Sequence, residues 1–407
     1  MDLTFEARVA DATRFSMSGT TPRMAWRPET AAEAAEIVRQ CGADGLKLVA
    51  WGGGVALARE PVPERYDVAL DLTAMKRVTI YDPDDYTVTA ECGITLDELR
   101  ATLTAKGQEL PLEGAESWGA TLGGVLAANA SGPRRRMFGA PRDRILGASF
   151  VTGDGVLAKS GGRVVKNVAG HAVHRLLVGS RGALGVFVQA SLKLLPQPPA
   201  RAAMVWACDA ATLGDAARWR DWPRREPAAL TVVGRAIAAK NPVLAGDTAF
   251  TVVAGFEDDA AWVEDCGEFA RRTLGAPRVK VQDASVLALW QQLTDAEEMP
   301  GARLTFTTSA NTPDAVAFLG GRPVADRLVF HAPCGRLHLW PAADEAAALV
   351  RELAAHGFAL LGSRGASIAG TGPRRVDALR TALRGALDPS GTFALGATWV
   401  GAASPTR

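Results

Sequence analysis

Cysteine is scarce and scattered in this sequence. The five cysteines, Cys41, Cys92, Cys208, Cys266 and Cys334, are odd in number and far apart. They form no CxxC pair, zinc spacing or iron–sulfur spacing, which excludes a disulfide framework and a metal–sulfur electron carrier held by this chain alone. Neither sign of charge is in excess. A net charge of +1 gives no reason to expect nucleic-acid or acidic-membrane binding, although Arg134 to Arg136 form a local basic cluster suited to a solvated edge or a local anion contact. No window reaches the apolar length of a membrane span, and the start Met1-Asp-Leu-Thr-Phe-Glu lacks both a basic n-region and a continuous apolar h-region. These absences predict a cytoplasmic protein. Several catalytic signatures are missing as well: there is no Walker A loop, no GxSxG nucleophile elbow, no GxGxxG after a strand and no HExxH.

What remains is ordinary globular material in quantity. The 407 residues, 48% hydrophobic and 22% charged, are enough for two or three domains with a large core. Glycine punctuates the first half. The stretch Gly114 to Gly132, followed by Pro133 to Asp143, is rich in small residues, and Val125 to Ala128 predicts a short helix whose N-terminus points towards an anion. Taken alone, such a stretch reads more readily as a set of turns. Leu46 to Ala50 alternates as a strand and runs into Trp51-Gly-Gly-Gly-Val55, which suits either a pyrophosphate or a hairpin turn.

Around these loops the elements are legible. Thr30 and Glu33 make a capping box opening a helix with Gly42 at its C-terminal cap. Asp67–Leu72, Val78–Tyr81 and Tyr86–Glu91 are strand-like, and a second capping box, Thr95 with Glu98, opens a helix that stops near Gly107. Ile145–Thr152 and Val156–Ser160 flank a Gly-Asp-Gly turn as a hairpin. A helix is expected at His171–Val178, where His171 and His174 share a face, and a strand at Val186–Leu195, ended by Pro196-Gln-Pro-Pro199. The proline cluster is the best domain boundary. Beyond it the glycine clusters thin out, and helix-like stretches mix with strands such as Ala249–Ala254 and Leu328–Phe330. The order of elements predicts an α+β fold.

From residue 114 to 198 several motifs occur in a characteristic order: Gly-Ala-Thr-Leu-Gly-Gly, Ser-Gly-Pro-Arg-Arg, Gly-Ala-Pro-Arg-Asp, Gly-Gly-Arg-Val-Val-Lys-Asn-Val-Ala-Gly, Arg-Leu-Leu-Val-Gly-Ser-Arg-Gly-Ala-Leu-Gly-Val and Ser-Leu-Lys-Leu-Leu-Pro. In this order they resemble the FAD-binding subunits of bacterial glycolate oxidases, flavoproteins of the vanillyl-alcohol oxidase and p-cresol methylhydroxylase (PCMH) type. The resemblance covers about half the chain. It implies a PCMH-type FAD-binding domain of two α+β subdomains at residues 1–199, a second α+β cap domain at 200–385, and a C-terminal segment, 386–407, returning to the FAD domain.

The same resemblance implies site residues. Trp51, Gly52, Gly53, Gly54, Val55 and Ala56 hold the pyrophosphate; Gly119, Thr121, Gly123, Gly124, Asn129, Ser131 and Gly132 line the diphosphate and isoalloxazine; Gly185 and Val186 present backbone. Family members with covalent flavin use a His in or near the first glycine loop. Val55 follows the glycines here, so non-covalent FAD is expected. Two departures stand out: His171-Ala172 replaces Tyr-Asp, and Ala394-Leu-Gly-Ala replaces the closing Asn-Pro-Gly-Arg.

Related FAD-linked 2-hydroxyacid dehydrogenases bind a divalent metal through two histidines separated by six residues and a later glutamate. His331 and His338 keep the spacing, but Gly365–Gly372 has no carboxylate, so no metal is expected and the histidines are expected to be packed or exposed. The implied chemistry is hydride transfer from the α-carbon of a small 2-hydroxyacid to flavin N5, with His338 as base and Arg336 as carboxylate partner. The implied partners are a second flavoprotein subunit and an iron–sulfur subunit, through which any attachment to the inner membrane is made. A flavin-binding structural or electron-relay subunit and a stand-alone FAD oxidase of another alcohol are the alternatives.

Overall fold

A computed structural model describes residues 8–9, 11–17, 19–57, 63–114, 119–164, 170–296, 303–308, 319, 322–342, 344–364 and 374–395. The chain divides into two units: residues 1–131, 140–197 and 370–407 form the first, residues 132–139 and 198–369 the second.

The first unit contains two main sheets. One has four strands in the order β1 (Arg8–Val9), β2 (Met24–Trp26), β4 (Val68–Asp71), β3 (Leu48–Trp51), and β3 and β2 both run parallel to β4. Helix α1 (Ala31–Ala43) buries Ala34, Ile37, Val38 and Cys41, spaced at three and four residues, in a core with Leu48, Val68 and Leu70. Its N-cap is Thr30, whose side chain accepts from Glu33 N. The Glu33 carboxylate bonds Glu29 N, not Thr30 N, so the expected box is offset by one residue. The helix also runs through Gly42 to an Asp44 cap, and Gly45 takes the left-handed position that the sequence suggests for Gly42.

The second sheet is antiparallel, in the order β5 (Val78–Asp82), β6 (Thr87–Glu91), β10 (Val186–Lys193), β8 (Ile145–Val151), β9 (Leu157–Gly161). The expected β8–β9 hairpin is present. Helices α2 (Leu96–Thr104) and α3 (Leu122–Ala128) bury Leu96, Leu99, Leu103, Leu122, Val125 and Leu126 with side chains of this sheet. Both halves of the Thr95–Glu98 capping box form. Strands β7 (Gln108–Glu109) and β11 (Leu195–Pro196) make a short pair. The helix expected at His171–Val178 is one turn, His174–Leu177, because Gly170 to Val173 approach it as extended chain and turn. Near the C-terminus Asp388 is buried and accepts from Thr392 N and Phe393 N, and Phe393 bridges Leu48 on the free edge of β3.

The second unit is one antiparallel sheet of eight strands. Its order is β15 (Val279–Gln282), β12 (Ala200–Cys208), β14 (Phe250–Asp258), β13 (Ala229–Gly234), β17 (Leu328–His331), β18 (Arg336–Leu339), β16 (Arg303–Thr308), β19 (Phe358–Arg364). On one face Val232, Val252, Phe256, Phe306 and Phe330 pack with the helices Ala260–Leu274 and Ala346–Ala355. On the other, Val205, Val233, Val253 and Val329 meet Leu289, Trp290 and Leu293 of the helix Ala284–Ala296. The short helix α4 (Arg135–Phe138), part of the inserted segment 132–139, also packs against β13. Among the described residues no helix is long and apolar enough to cross a membrane.

Candidate functional site

The site is assembled from three glycine-rich loops, all within the first unit. The first follows β3. Trp51 turns its ring into the core, donating Nε1–H to the Tyr66 hydroxyl at 2.6 Å and meeting Phe15 edge-on at 5.4 Å between centroids, so Trp51 is the floor of this loop and offers the site only its backbone. The second loop, Gly119 to Thr121, leads into α3. Thr121 is the helix N-cap, accepting from Gly124 N at 3.3 Å. The two loops touch: a Cβ on Gly53 would overlap the Gly119 carbonyl, so this contact requires glycine.

The third loop, Gly179 to Gly185, wraps the other end of α3. Gly179 N donates to Leu126 O at 3.1 Å and Arg181 N to Ala127 O at 2.9 Å. Asn129 caps α3 in the left-handed conformation, φ 49°, and its Cβ is 3.3 Å from where a Cβ on Gly179 would lie. One short helix thus joins all three loops.

Gly123 and Gly124 are adjacent but unlike. A Cβ on Gly123 would sit 2.9 Å from Cys92 O and 3.0 Å from Cys92 Cβ, inside the packing of the sheet, whereas one on Gly124 would meet only Thr121 Oγ1, at 3.2 Å. A bulky side chain at Gly124 would therefore meet little of the chain itself, whereas one at Gly123 would strike the chain's own backbone. Gly185 and Val186 are buried, with Leu177 Cδ2 3.0 Å from a Cβ on Gly185 and the Val186 side chain in the core beside α1. Thr121, Asn129, Gly119 and the first loop are brought together. Gly132 begins the segment that belongs to the second unit.

Two buried polar atoms at this cradle have no partner among the described residues: Asn129 Oδ1 and Ser180 Oγ. An unpaired buried acceptor or hydroxyl costs about 1–3 kcal/mol, and native chains tolerate that where a ligand supplies the missing bond. The cradle has donors, small residues and unsatisfied groups of the kind a flavin and its diphosphate require, so the residues present fit FAD. Ser180 is a further candidate for this site that the sequence motifs did not single out. Its signal was available in the Gly-Ser-Arg-Gly run, where a small polar residue sits between two glycines.

Elsewhere in the first unit His174 is buried, its Nδ1 3.0 Å from Ser160 Oγ and its Nε2 without a partner. Burial, with a smaller contribution from Arg175, lowers its pKa, keeping the imidazole neutral. His171 is exposed and pairs with it in no common task.

In the second unit His338 and Arg336 occupy alternate positions of β18 and so share a face of the sheet. His338 is 3% exposed; its Nδ1 is 3.0 Å from Thr305 Oγ1. His331, fully buried, lies 2.9 Å from Thr231 Oγ1 through Nδ1 and 5.9 Å from the His338 ring, edge to face. Each ring is oriented by a threonine on a neighbouring strand. Among the described residues no group of three or more His, Cys, Asp or Glu is arranged to hold a metal ion. Gly365–Gly372 lies outside the described residues.

The loops, the paired sheets and the orphaned polar atoms together define a flavin-binding domain of the PCMH type. Residues 22–161 match the FAD binding domain family, and FAD is the cofactor of this domain. Over 170 residues the chain is 40% identical to glycolate oxidase subunit GlcE of Escherichia coli (strain K12), a match covering 40% of this chain and 47% of that protein. It is 30% identical over 190 residues to the mitochondrial D-lactate dehydrogenase (cytochrome) of Arabidopsis thaliana, covering 47% of this chain and 33% of that one. The chain thus spans less than half the length of these relatives. Among solved structures, alkyldihydroxyacetonephosphate synthase shares the fold with a TM-score of 0.64 over 92% of this chain and 76% of that chain, at 17% identity.

Proposed function

We propose that this chain is an FAD-dependent oxidoreductase acting on a small 2-hydroxyacid, as one subunit of a glycolate oxidase-type complex. The observation that carries the reading is the cradle: three glycine-rich loops joined through α3, with Asn129 and Ser180 holding buried polar atoms unpaired, in the first unit, most of which the FAD binding domain family matches. That one relative is a glycolate oxidase subunit and another a D-lactate dehydrogenase supports 2-hydroxyacids as the substrate class.

Bound non-covalently, FAD would supply the two-electron acceptor for hydride from the substrate. The chain's own residues do the rest. The first loop and Gly119, Thr121 and Gly124 would hold the diphosphate with bare backbone, and Asn129, Ser131 and Ser180 would bond the flavin. In the second unit Arg336 takes the substrate carboxylate and His338, its ring steadied by Thr305, removes the hydroxyl proton. With its five cysteines scattered, the chain passes electrons on to an iron–sulfur partner, and a second flavoprotein subunit completes the complex. The burial of His338 favours one other arrangement, in which this flavin relays electrons while the partner flavoprotein turns over substrate.

Anaerobic addition of glycolate or D-lactate to the purified yellow protein separates the two. Bleaching of the flavin band, lost in His338→Gln, supports turnover by this chain. A flavin that stays oxidised with both acids alone, and bleaches only when the partner is added, assigns the chemistry to the partner. Colourless protein whose melting temperature FAD does not raise sinks the flavin reading.

A further inference from the structure

The segment Gly132–Gly139 continues directly from Asn129 and Ser131 of the flavin cradle, yet it groups with the second unit. A buried carboxylate holds it there. Glu257, on β14, accepts from Arg134 Nη1 at 3.2 and 3.4 Å, from Arg201 Nε at 3.2 Å and from Trp290 Nε1 at 2.8 Å. Glu257 is 3% exposed and Arg134 4%. Arg201 is the cross-strand neighbour of Glu257 in the β12–β14 ladder, and Trp290 reaches the carboxylate across Gly255, where any side chain would overlap the indole. The sheet and its covering helix supply these two donors. Of the three, Arg134 alone comes from the inserted segment, and its guanidinium lies 5.1 Å over the ring of Phe138 at the end of α4.

Burying a carboxylate among guanidinium groups incurs a desolvation cost that apolar packing avoids, so such a cluster is better suited to fixing geometry than to adding stability. We propose that Glu257 is a positioning residue for the cofactor: by gripping Arg134 it fixes residues 132–139, and through them the Asn129–Ser131 end of the cradle, in the conformation that retains FAD. The proposal rests on the reading of residues 119–132 as the FAD cradle. Coupling runs along the chain, since the gripped arginine is five residues from Asn129.

The test compares FAD release from the holoprotein after dilution, followed by flavin fluorescence, well below the melting temperature of every variant. Arg134→Met and Glu257→Gln are each expected to release FAD about tenfold faster or more, and the double variant no faster than Glu257→Gln alone. Arg201→Met removes a bond to the same carboxylate but leaves Arg134 gripped. It is expected to lower the melting temperature while changing release by less than about threefold. Release from Arg134→Met and Glu257→Gln at the wild-type rate overturns the proposal. So does equal acceleration by Arg201→Met, which assigns the effect to general loss of stability. Should Glu257→Gln fail to fold, the Arg134→Met and Arg201→Met pair decides. Wild-type protein that takes up no FAD is a different result: it removes the cofactor reading, and this proposal with it, before any variant is compared.

Discussion

Buried polar groups are met differently at one cluster in the second unit and at the cradle in the first. In the second, Glu257 collects two guanidinium groups and an indole, and His331 and His338 each face a threonine hydroxyl. In the first, Asn129 Oδ1 at the end of α3 and Ser180 Oγ in the third loop are buried with no partner among the described residues. A chain able to satisfy a carboxylate between two arginines is also able to satisfy one amide and one hydroxyl. The contrast is the one expected if side chains complete the cluster and a bound molecule completes the cradle.

The largest effect that would break the comparison is at Gly124. Gly124→Leu places a side chain in the open cradle and is expected to weaken FAD binding by about 100-fold or more, read by equilibrium dialysis, with the apoprotein's melting temperature nearly unchanged. Gly123→Leu strikes Cys92 instead and costs about 1–3 kcal/mol of apoprotein stability. Flavin retained by Gly124→Leu would show that the cradle lies elsewhere.

Ser180→Ala and Thr231→Val sharpen the contrast at smaller scale. Removing an unpaired hydroxyl is expected to leave apoprotein stability unchanged or raised by up to about 1 kcal/mol while weakening FAD binding about fivefold; removing the hydroxyl beside His331 costs about 1–3 kcal/mol, because the imidazole stays buried. Urea unfolding of both apoproteins measures this, and equal losses would erase the distinction.

The smallest effect concerns pH. The folded pKa of His174 lies below its ordinary value of 6.5, so the unfolded chain binds the proton more readily. Its neutral form therefore contributes stability above about pH 6.5, and that contribution is lost as pH falls. The melting temperature is expected to drop between pH 7.5 and 5.5, and His174→Gln to flatten the drop; an unchanged slope in the variant removes His174 as the cause.

Much of this was legible in the residues. Local rules placed the Thr95–Glu98 box, the hairpin about Gly153-Asp-Gly155 and the strand ending at Trp51, because each is decided by neighbours in sequence. The order of glycine motifs pointed to FAD. What escaped was decided across the fold. Nothing near Gly123 and Gly124 says which of them faces Cys92, nothing around Arg134 names a carboxylate more than a hundred residues away, and Ser180 acquires meaning only where its loop meets α3. The offset of the first cap, with Glu33 bonding Glu29, shows how one turn of backbone redirects a side chain that a motif assigns elsewhere.

The bridge between Leu48 and Phe393 has a consequence for biogenesis. The strand that delivers the first glycine loop gains its last neighbour from the far end of the chain, and Lys47 bonds the Gly391 carbonyl across 344 residues. During synthesis the first sheet emerges early and waits, edge open, while the whole second unit is translated. The cofactor's floor is therefore completed only after the whole second unit has been translated, and until then the nascent edge is exposed to mispairing.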